Sequence, residues 1–259
     1  MSGFLFDKIV FGPINSRRFG LSLGMNLLPT NYKNCTFNCI YCECGWTYQE
    51  ASENIRLHSR KEIKDALEEK LKMLILKNIL PDNITFAGNG EPTIHPEFPE
   101  IIFDTLLLRN KYLPRAEISV LSNASMIQNE KVFNSLLSVD NNVLKLDAGT
   151  ESTFQIINQP VRNLSLDVIV DNLKKFKGNL VIQTLFVKGF YNGQIIDNTQ
   201  NNEVDAWLGH IKMIKPKYVM IYPIARATPA EDLLKIPHNE LELIADKVRK
   251  SGFEARVYS

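Results

Sequence analysis

The chain has 259 residues, of which 44% are hydrophobic, and its formal net charge at pH 7 is +1. This composition is typical of a globular protein with a sizeable core, and the near-neutral charge excludes a global field that would draw the chain to nucleic acid or to an acidic membrane. Because the sequence shows neither a signal peptide nor an uncharged apolar run of about 18 residues, we expect a cytoplasmic protein without a membrane span, whose cysteines are reduced.

Strand-like apolar runs alternate with helical patterns along the chain. The predicted strands cover residues 21–28, 84–88, 117–122, 143–148, 180–187 and 218–224, with a short last strand at 254–258. The predicted helices cover about 59–79, 97–110, from 129 onward, 165–176, 203–214 and 239–250. Ser59 and Glu62 form a capping box for the first of them. This alternation predicts parallel strands joined by right-handed crossovers.

Six such units and a short seventh strand are too few for a closed eightfold barrel. The sequence therefore predicts an α/β fold, a partial (β/α)6 barrel of the TIM type, with any site at the carboxyl ends of the strands. A doubly wound sheet is the alternative. We expect one domain over 1–259, with a lead-in at about 1–20, a core at about 21–226 and a final helix and strand at about 227–259. The long polar stretch 190–203 indicates either a mobile lid at the rim or an ordinary surface loop.

Three of the four cysteines lie in the segment NCTFNCIYC, directly after the first predicted strand, as Cys35-x3-Cys39-x2-Cys42. A structural zinc site needs four ligands, usually in two separate pairs. Here the nearest histidine is His58, and Cys44 stands too close to Cys42 for a comfortable tetrahedral pair. Thiolates also hold iron–sulfur clusters, and three thiolates on a four-iron cluster leave one iron open for catalysis. Zinc is the alternative, and we interpret Cys44 as a loop thiol.

This spacing, with the aromatic Tyr41 before the last cysteine, resembles the signature of the radical S-adenosylmethionine (SAM) superfamily. The resemblance implies a [4Fe-4S] cluster on Cys35, Cys39 and Cys42, whose open iron binds the amino and carboxylate groups of SAM. One electron, from a donor such as flavodoxin or ferredoxin, would cleave SAM to methionine and a 5′-deoxyadenosyl radical. That radical would abstract hydrogen from the substrate.

Segments that follow the later strands resemble other landmarks of this superfamily. The turn 88–92, Gly-Asn-Gly-Glu-Pro, is similar to its Gly-Gly-Glu-Pro turn, which implies that Glu91 and the turn backbone bind the SAM ammonium; an ordinary glycine turn is the alternative. Ser122-Asn123-Ala124 is similar to its Ser/Thr-Asn-Gly segment. The residues that the resemblance places at SAM are Tyr41, Gly88, Asn89, Gly90, Glu91, Ser122, Asn123, Lys145, Asp147, Gln183 and Ile224.

Three further residues in this set, Lys145, Asp147 and Gln183, have alternative interpretations. Lys145 and Asp147 are two residues apart in an apolar strand, so their side chains lie on one face, and two charges inside a barrel need a partner or a ligand. They contact SAM or the substrate, or they simply pair with each other. Near the adenosine, Thr184 is the alternative to Gln183.

The segments FGPINSRRFGLSLGMNLLP and KLDAGTESTFQIINQP also resemble one branch, the proteins related to the wyosine-forming tRNA enzymes, many of which have no known role. The tRNA-modifying members carry a second cluster on additional cysteines, and here only Cys44 is left over. Together with the net charge of +1, this argues against tRNA binding, although Arg17, Arg18 and Arg162 are candidates for local phosphate contacts.

The resemblance favours an enzyme that modifies a small molecule, a nucleotide or RNA, with a substrate that the sequence does not identify. Two alternatives belong to other functional classes. One is an activating enzyme that installs a glycyl radical on a partner protein. The other is a zinc- or cluster-binding protein without catalysis.

Overall fold

The computed structural model describes residues 3–47, 56–161 and 163–259, so Arg162 lies outside the described residues. The strands of the described chain are β1 (Val10–Ser16), β2 (Gly20–Met25), β3 (Asn83–Phe86), β4 (Glu117–Ser122), β5 (Asn141–Lys145), β6 (Val181–Tyr191), β7 (Gln194–Asp197), β8 (Val219–Pro223), β9 (Leu233–Lys235) and β10 (Ala255–Val257). Its α-helices are α1 (Arg60–Leu76), α2 (Phe98–Tyr112), α3 (Glu130–Ser138), α4 (Glu151–Asn158), α5 (Leu166–Lys174), α6 (Asn201–Ile214) and α7 (His238–Lys250).

The main sheet has the strand order β1-β2-β3-β4-β5-β6-β8-β10. All neighbours from β2 to β10 are parallel, and β1 is an antiparallel edge strand beside β2. The order follows the chain without a reversal, whereas a doubly wound sheet reverses its strand order at a switch point. The two edges, β1 and β10, do not pair with each other. The prediction of a partial barrel is therefore confirmed, and the doubly wound alternative is wrong.

The helices pack their apolar faces on this sheet, and α1 illustrates why the sequence folds in this way. The backbone N–H of Glu62 donates to Ser59 Oγ at 3.3 Å, and the Ser59 N–H donates to the Glu62 carboxylate at 2.7 Å. This is the predicted capping box. The buried positions of α1 recur every three or four residues, so they form one stripe that faces the core. They are Ile63, Leu67, Leu71 and Leu74.

The stretch 190–203 is not one long loop but contains regular structure. Strand β6 continues to Tyr191, and β7 folds back on it as an antiparallel hairpin in which Tyr191 faces Gln194. The two turn residues, Asn192 and Gly193, have φ angles of 50° and 74°. An Asn-Gly pair with positive φ is the preferred two-residue hairpin turn. The hairpin signal was therefore present in the sequence, but the predicted strand ended too early to use it.

Strands β1 and β9 and helix α4 were not predicted either. In β1 the pairing register shifts between Phe11 and Ile14, at the segment that contains Pro13, and this break hides the alternation expected of a strand. Helix α4 has only eight residues, too few for a strong helical period. No helix in the described ranges combines the length and apolar character that crossing a membrane requires.

Candidate active site at the carboxyl ends of the strands

A cavity of about 230 Å³ lies at the carboxyl ends of the parallel strands. It brings together most of the side chains that the sequence placed at a site. Those that line it are Cys35, Cys39, Tyr41, Cys42, Gly88, Gly90, Glu91, Ser122, Asn123, Lys145 and Gln183. The remaining three predicted residues, Asn89, Asp147 and Ile224, do not line this cavity.

The cysteine loop is held in place by helix α4 and by its own backbone. The Ile40 N–H donates to the Ile157 carbonyl at 3.0 Å, and the Cys42 N–H donates to the Cys39 carbonyl at 3.1 Å. Asn158, the last residue of α4, directs its amide at Cys39 Sγ, 3.5 Å away. The unpredicted helix therefore fixes the first turn of the loop.

Lys33 is a buried cation among the cysteines. Its side chain is 2% exposed and donates to the Gly45 carbonyl at 3.1 Å. No carboxylate forms an ion pair with it in the described part of the chain. Burial opposes its charge, yet Cys42 and the two other clustered cysteines raise the pKa of Lys33 above its usual value. The Lys33 ammonium is therefore positioned to balance negative charge on the cysteine thiolates.

The four thiols differ in how readily they ionise. A hydrogen bond with Cys44, assisted by Lys33, holds the pKa of Cys42 well below its usual value. Burial raises the pKa of Cys35 to about 12 and also raises the pKa of Cys39. Cys44 Sγ lies 3.5 Å from the Gly88 carbonyl oxygen, and its hydrogen bond with Cys42 raises the pKa of Cys44. Cys44 therefore supports Cys42 from the wall of the same cavity.

The donor geometry distinguishes a cluster from a single ion. Within the described residues, no three Cys, His, Asp or Glu side chains converge tightly enough to hold one metal ion. Zinc requires such convergence, because all its ligands bind one centre at about 2.3 Å for sulfur. A four-iron cluster is bound differently, since each thiolate binds a separate iron. Three cysteines around one cavity, beside a buried cation, fit a cluster better than zinc.

The glycine turn is bonded directly to the start of the cysteine loop. The Asn34 N–H donates to the Asn89 carbonyl at 2.8 Å, and the Glu91 N–H donates to the Asn34 carbonyl at 3.1 Å. Gly90 has a φ angle of 140°, and a Cβ there would overlap the Asn34 carbonyl. The turn therefore needs glycine at this position. The Asn89 side chain points away from the cavity and bonds the backbone of Phe6 and Pro29.

Glu91 is buried with its carboxylate surrounded by neutral donors. Its oxygens accept hydrogen bonds from the Thr93 N–H at 3.1 Å, from Ser122 Oγ at 2.8 Å and from the Asn123 N–H at 2.6 Å. Burial raises the pKa of Glu91, although these bonds act in the opposite direction. Among the described residues no cationic side chain forms an ion pair with it. Glu91 is thus a buried anion without a cation.

The Ser-Asn-Ala segment joins the same network from the next strand. Asn123 Nδ2 donates to Thr36 Oγ1 at 2.8 Å and lies 3.6 Å from Cys35 Sγ. Ala124 has a φ angle of 65°, in the left-handed region. This conformation is normally occupied by glycine, which is the residue type that the resembling segment has at this place.

Lys145 and Asp147 pair with each other and enclose Tyr41. Lys145 Nζ lies 3.3 Å from Asp147 Oδ2 and donates to the Tyr41 hydroxyl at 2.7 Å, and that hydroxyl donates to Asp147. Asn158 adds a bond to the same carboxylate at 2.8 Å. Burial opposes the charge of Lys145, yet Asp147 raises its pKa; burial and Asp147 both raise the pKa of Tyr41. This cluster clamps the residue that precedes Cys42.

Two further predicted residues lie in different cavities: Gln183 in the cysteine-lined cavity and Ile224 in a neighbouring one. Gln183 Oε1 accepts a hydrogen bond from Arg18 Nη1 at 3.1 Å at the cavity wall, while Thr184 is buried and bonds the Leu146 carbonyl. Ile224 lines a larger neighbouring cavity. Sequence reasoning missed Lys33 in the inner cavity, and it gave Arg18 only as a candidate for a local phosphate contact. The position of Lys33, two residues before Cys35, was the one signal available for it.

Comparison with known proteins agrees with this geometry. The sequence matches the Radical SAM superfamily over residues 32–197. It is 31% identical over 242 residues to a Brachyspira hyodysenteriae protein named GTPase Obg, with 92% of this chain and 33% of that protein covered. It is 33% identical over 183 residues to a UPF0026 protein of Methanocaldococcus jannaschii, with 69% of this chain and 54% of that protein covered. The chain thus spans about a third to about half of the length of these relatives.

Solved structures share the fold at low sequence identity. A radical SAM methyltransferase from Sphaerobacter thermophilus has a TM-score of 0.64 and 12% identity, with 92% of this chain and 66% of that chain covered. Streptococcus suis SuiB bound to S-adenosylmethionine has a TM-score of 0.62 and 13% identity, with 88% and 49% covered. Archaeal TYW1 has a TM-score of 0.52 and 11% identity, with 88% and 71% covered. The family predicted from the cysteine motif is confirmed: this chain belongs to the radical SAM superfamily, whose cofactors are a [4Fe-4S] cluster and SAM.

Proposed function

We propose that this chain is an enzyme that cleaves SAM by one-electron reduction and uses the product radical to remove hydrogen from a substrate. The observation that carries the proposal is a pair of buried charges of opposite sign at one cavity. Lys33 and Glu91 both line the cysteine cavity, both are 2% exposed, and neither has a charged side-chain partner in the described residues. An unpaired buried charge is costly, so each is expected to face a bound group.

The two charges match the two cofactors. Three thiolates on a [4Fe-4S] cluster carry net negative charge, which Lys33 would balance. The ammonium of SAM would pair with Glu91 through a charge-assisted hydrogen bond. When bound, the cluster supplies the electron and SAM supplies the 5′-deoxyadenosyl radical. We propose Cys35, Cys39 and Cys42 as the cluster ligands.

The protein's own residues position these groups. The Tyr41–Lys145–Asp147 cluster would hold the loop that carries the cysteines. Gly88 and Gly90 would shape the turn beside SAM, because a Cβ at Gly88 would overlap Asn26 and a Cβ at Gly90 would overlap the Asn34 carbonyl. Ser122 and Asn123 would orient the Glu91 carboxylate through the hydrogen bonds described above, so that it does not need to reorganise on binding.

We further propose that the chain forms one radical SAM domain, that it acts in the cytoplasm, and that a flavodoxin or ferredoxin supplies the electron. No specific observation favours the glycyl-radical-activating enzyme or the non-catalytic binding protein. The net reaction after hydrogen abstraction depends on the chemical class of the substrate.

The test is anaerobic reconstitution with iron and sulfide, followed by reduction in the presence of SAM. We expect about four irons per chain and the formation of 5′-deoxyadenosine. The matched variants are Cys39→Ala, which should lose both, and Cys44→Ala, which should retain the iron. Protein that instead binds zinc tightly and forms no 5′-deoxyadenosine would contradict the proposal.

A further inference from the structure

A second cavity, of about 680 Å³, adjoins the cysteine-lined cavity. The two share the side chains of Arg18, Tyr41, Cys42, Cys44 and Tyr222. Residues 14–16 of edge strand β1 form one side, and Tyr258, which follows edge strand β10, lies on the other. The cavity therefore fills the gap that the open barrel leaves between its two edges. Its volume is that of a typical small-molecule site, which is about 300–1,000 Å³.

The walls of this gap carry an excess of positive charge. Arg17, Arg18, Arg226 and Lys235 line it, and Glu43 is the one acidic side chain among its lining residues. Glu43 is already bound to Arg226, at 2.7 Å. The other three cations form no ion pair with a carboxylate in the described ranges. Because the whole chain has a net charge of only +1, this local excess is not a general property of its surface.

Arg18 lies at the junction of the two cavities. Its guanidinium is half-buried, donates one hydrogen bond to Gln183 Oε1 at 3.1 Å, and lies 5.1 Å from the centroid of the Tyr222 ring. A guanidinium has five N–H donors in a planar fork that matches phosphate and carboxylate oxygens. The cation–π contact with Tyr222, which also lines both cavities, favours a position of the guanidinium at their junction.

We propose that the gap between the sheet edges binds the substrate, and that the substrate is a small molecule with a phosphate or carboxylate group held by Arg18, Arg17 and Lys235. The inference rests on the proposed function, because it takes the neighbouring cavity as the site of the cluster and of the amino and carboxylate groups of SAM. An anion anchored at the gap would place the rest of the substrate toward Tyr222 and the inner cavity, where hydrogen abstraction would occur.

The test measures anion binding by calorimetry in anaerobic, reconstituted protein that is saturated with SAM. Two probes distinguish the two kinds of anionic group: inorganic pyrophosphate represents a phosphate group, and succinate represents a carboxylate group. We expect at least one of them to bind to the wild-type protein. Arg18→Gln should weaken that binding by about tenfold or more, because it removes a charge-assisted hydrogen bond to the anion. Lys235→Gln, at an exposed position, serves as a second variant that should fold normally and weaken binding several-fold.

The matched control is Arg115→Gln, because Arg115 is exposed and precedes β4, at the amino ends of the strands. It should leave anion binding unchanged. Absence of binding for both probes, or equal losses in the Arg18 and Arg115 variants, would overturn the inference. So would an Arg18→Gln variant that binds SAM more weakly but binds both anions as the wild type does, since Arg18 would then serve the SAM carboxylate.

These outcomes are distinguishable from failure of the proposed function. Formation of 5′-deoxyadenosine by the wild-type protein without anion binding would remove only the inference. Anion binding by wild-type protein that never cleaves SAM would remove the radical chemistry, and the gap would then bind the substrate of another reaction.

Discussion

Replacing Lys145 with methionine should destabilise the protein by about 3 kcal/mol. The substitution leaves the Asp147 carboxylate, whose side chain is 0% exposed, without its cation. Removing one partner of a buried pair costs about 3–5 kcal/mol, because the remaining charge stays buried and uncompensated. Here the lower end applies, since the Tyr41 hydroxyl, Asn158 and the Leu185 N–H still donate to Asp147.

The assay is urea unfolding of the cluster-free protein under reducing conditions. A double variant, Lys145→Met with Asp147→Asn, should recover part of the loss, because it removes both charges; the coupling energy of such pairs is about 0.5–3 kcal/mol. The matched control is Lys188→Met, which breaks the ion pair with Glu240 at 3.2 Å, where the two side chains are 33% and 37% exposed. An exposed pair contributes at most about 1 kcal/mol. If Lys145→Met cost no more than Lys188→Met, the reasoning about the buried pair would be refuted.

Lys145→Met also tests whether the Tyr41–Lys145–Asp147 cluster holds the cysteine loop. Lys145 donates to the Tyr41 hydroxyl, and Tyr41 precedes Cys42. Loss of this hydrogen bond should therefore also reduce the iron retained after reconstitution. Tyr41→Phe, which keeps the ring but removes the hydroxyl, should show a smaller loss of iron than Lys145→Met. Equal iron content in Lys145→Met and wild-type protein would show that the loop does not depend on this cluster.

Four further outcomes are expected. Alanine at any one of the three ligand cysteines should abolish SAM cleavage, while Cys44→Ala should keep a four-iron cluster in an iron and sulfide assay. Glu91→Gln should weaken SAM binding in an anaerobic titration and leave the cluster intact, because a charge-assisted hydrogen bond of about 1.5–3 kcal/mol is lost. Lys33→Met should lower the midpoint potential of the cluster in a redox titration, since a nearby positive charge favours the reduced, more negative state by an amount on the order of 2 kcal/mol. Ala124→Gly should raise the free energy of unfolding by about 1 kcal/mol, because glycine relieves the left-handed backbone at this position.

Each of these outcomes has a result that would contradict it. Loss of iron in Cys44→Ala alone would show that the ligand assignment is wrong. Unchanged SAM affinity in Glu91→Gln would limit this residue to holding the turn. A Lys33→Met variant with the wild-type potential would mean that solvent screens the ammonium from the cluster. A neutral or destabilising Ala124→Gly would show that the alanine methyl packs well enough to offset the backbone strain.

Much of the fold followed from local patterns. The strands of the parallel sheet and the capping box at Ser59 were predicted because their signals lie within a few residues of one another. The cysteine motif and the glycine turn were recognised for the same reason. The order of the strands then predicted that both lie at one end of the barrel. Strand β1 and helix α4 were missed, because a register break and a short length hide their periods.

What the sequence by itself determined was the family, the parallel order of the strands and the spacing of the three clustered cysteines, since each depends on patterns along the chain. Only the tertiary structure decided which charges are paired. Lys145 and Asp147 pair and enclose Tyr41, more than a hundred residues away, whereas Lys33 and Glu91 are buried without partners. Arg18 reaches Gln183, 165 positions along the chain, and so forms part of the wall of the site. A charge is costly or useful according to its burial and its neighbours in space, and neither is encoded in the residues beside it.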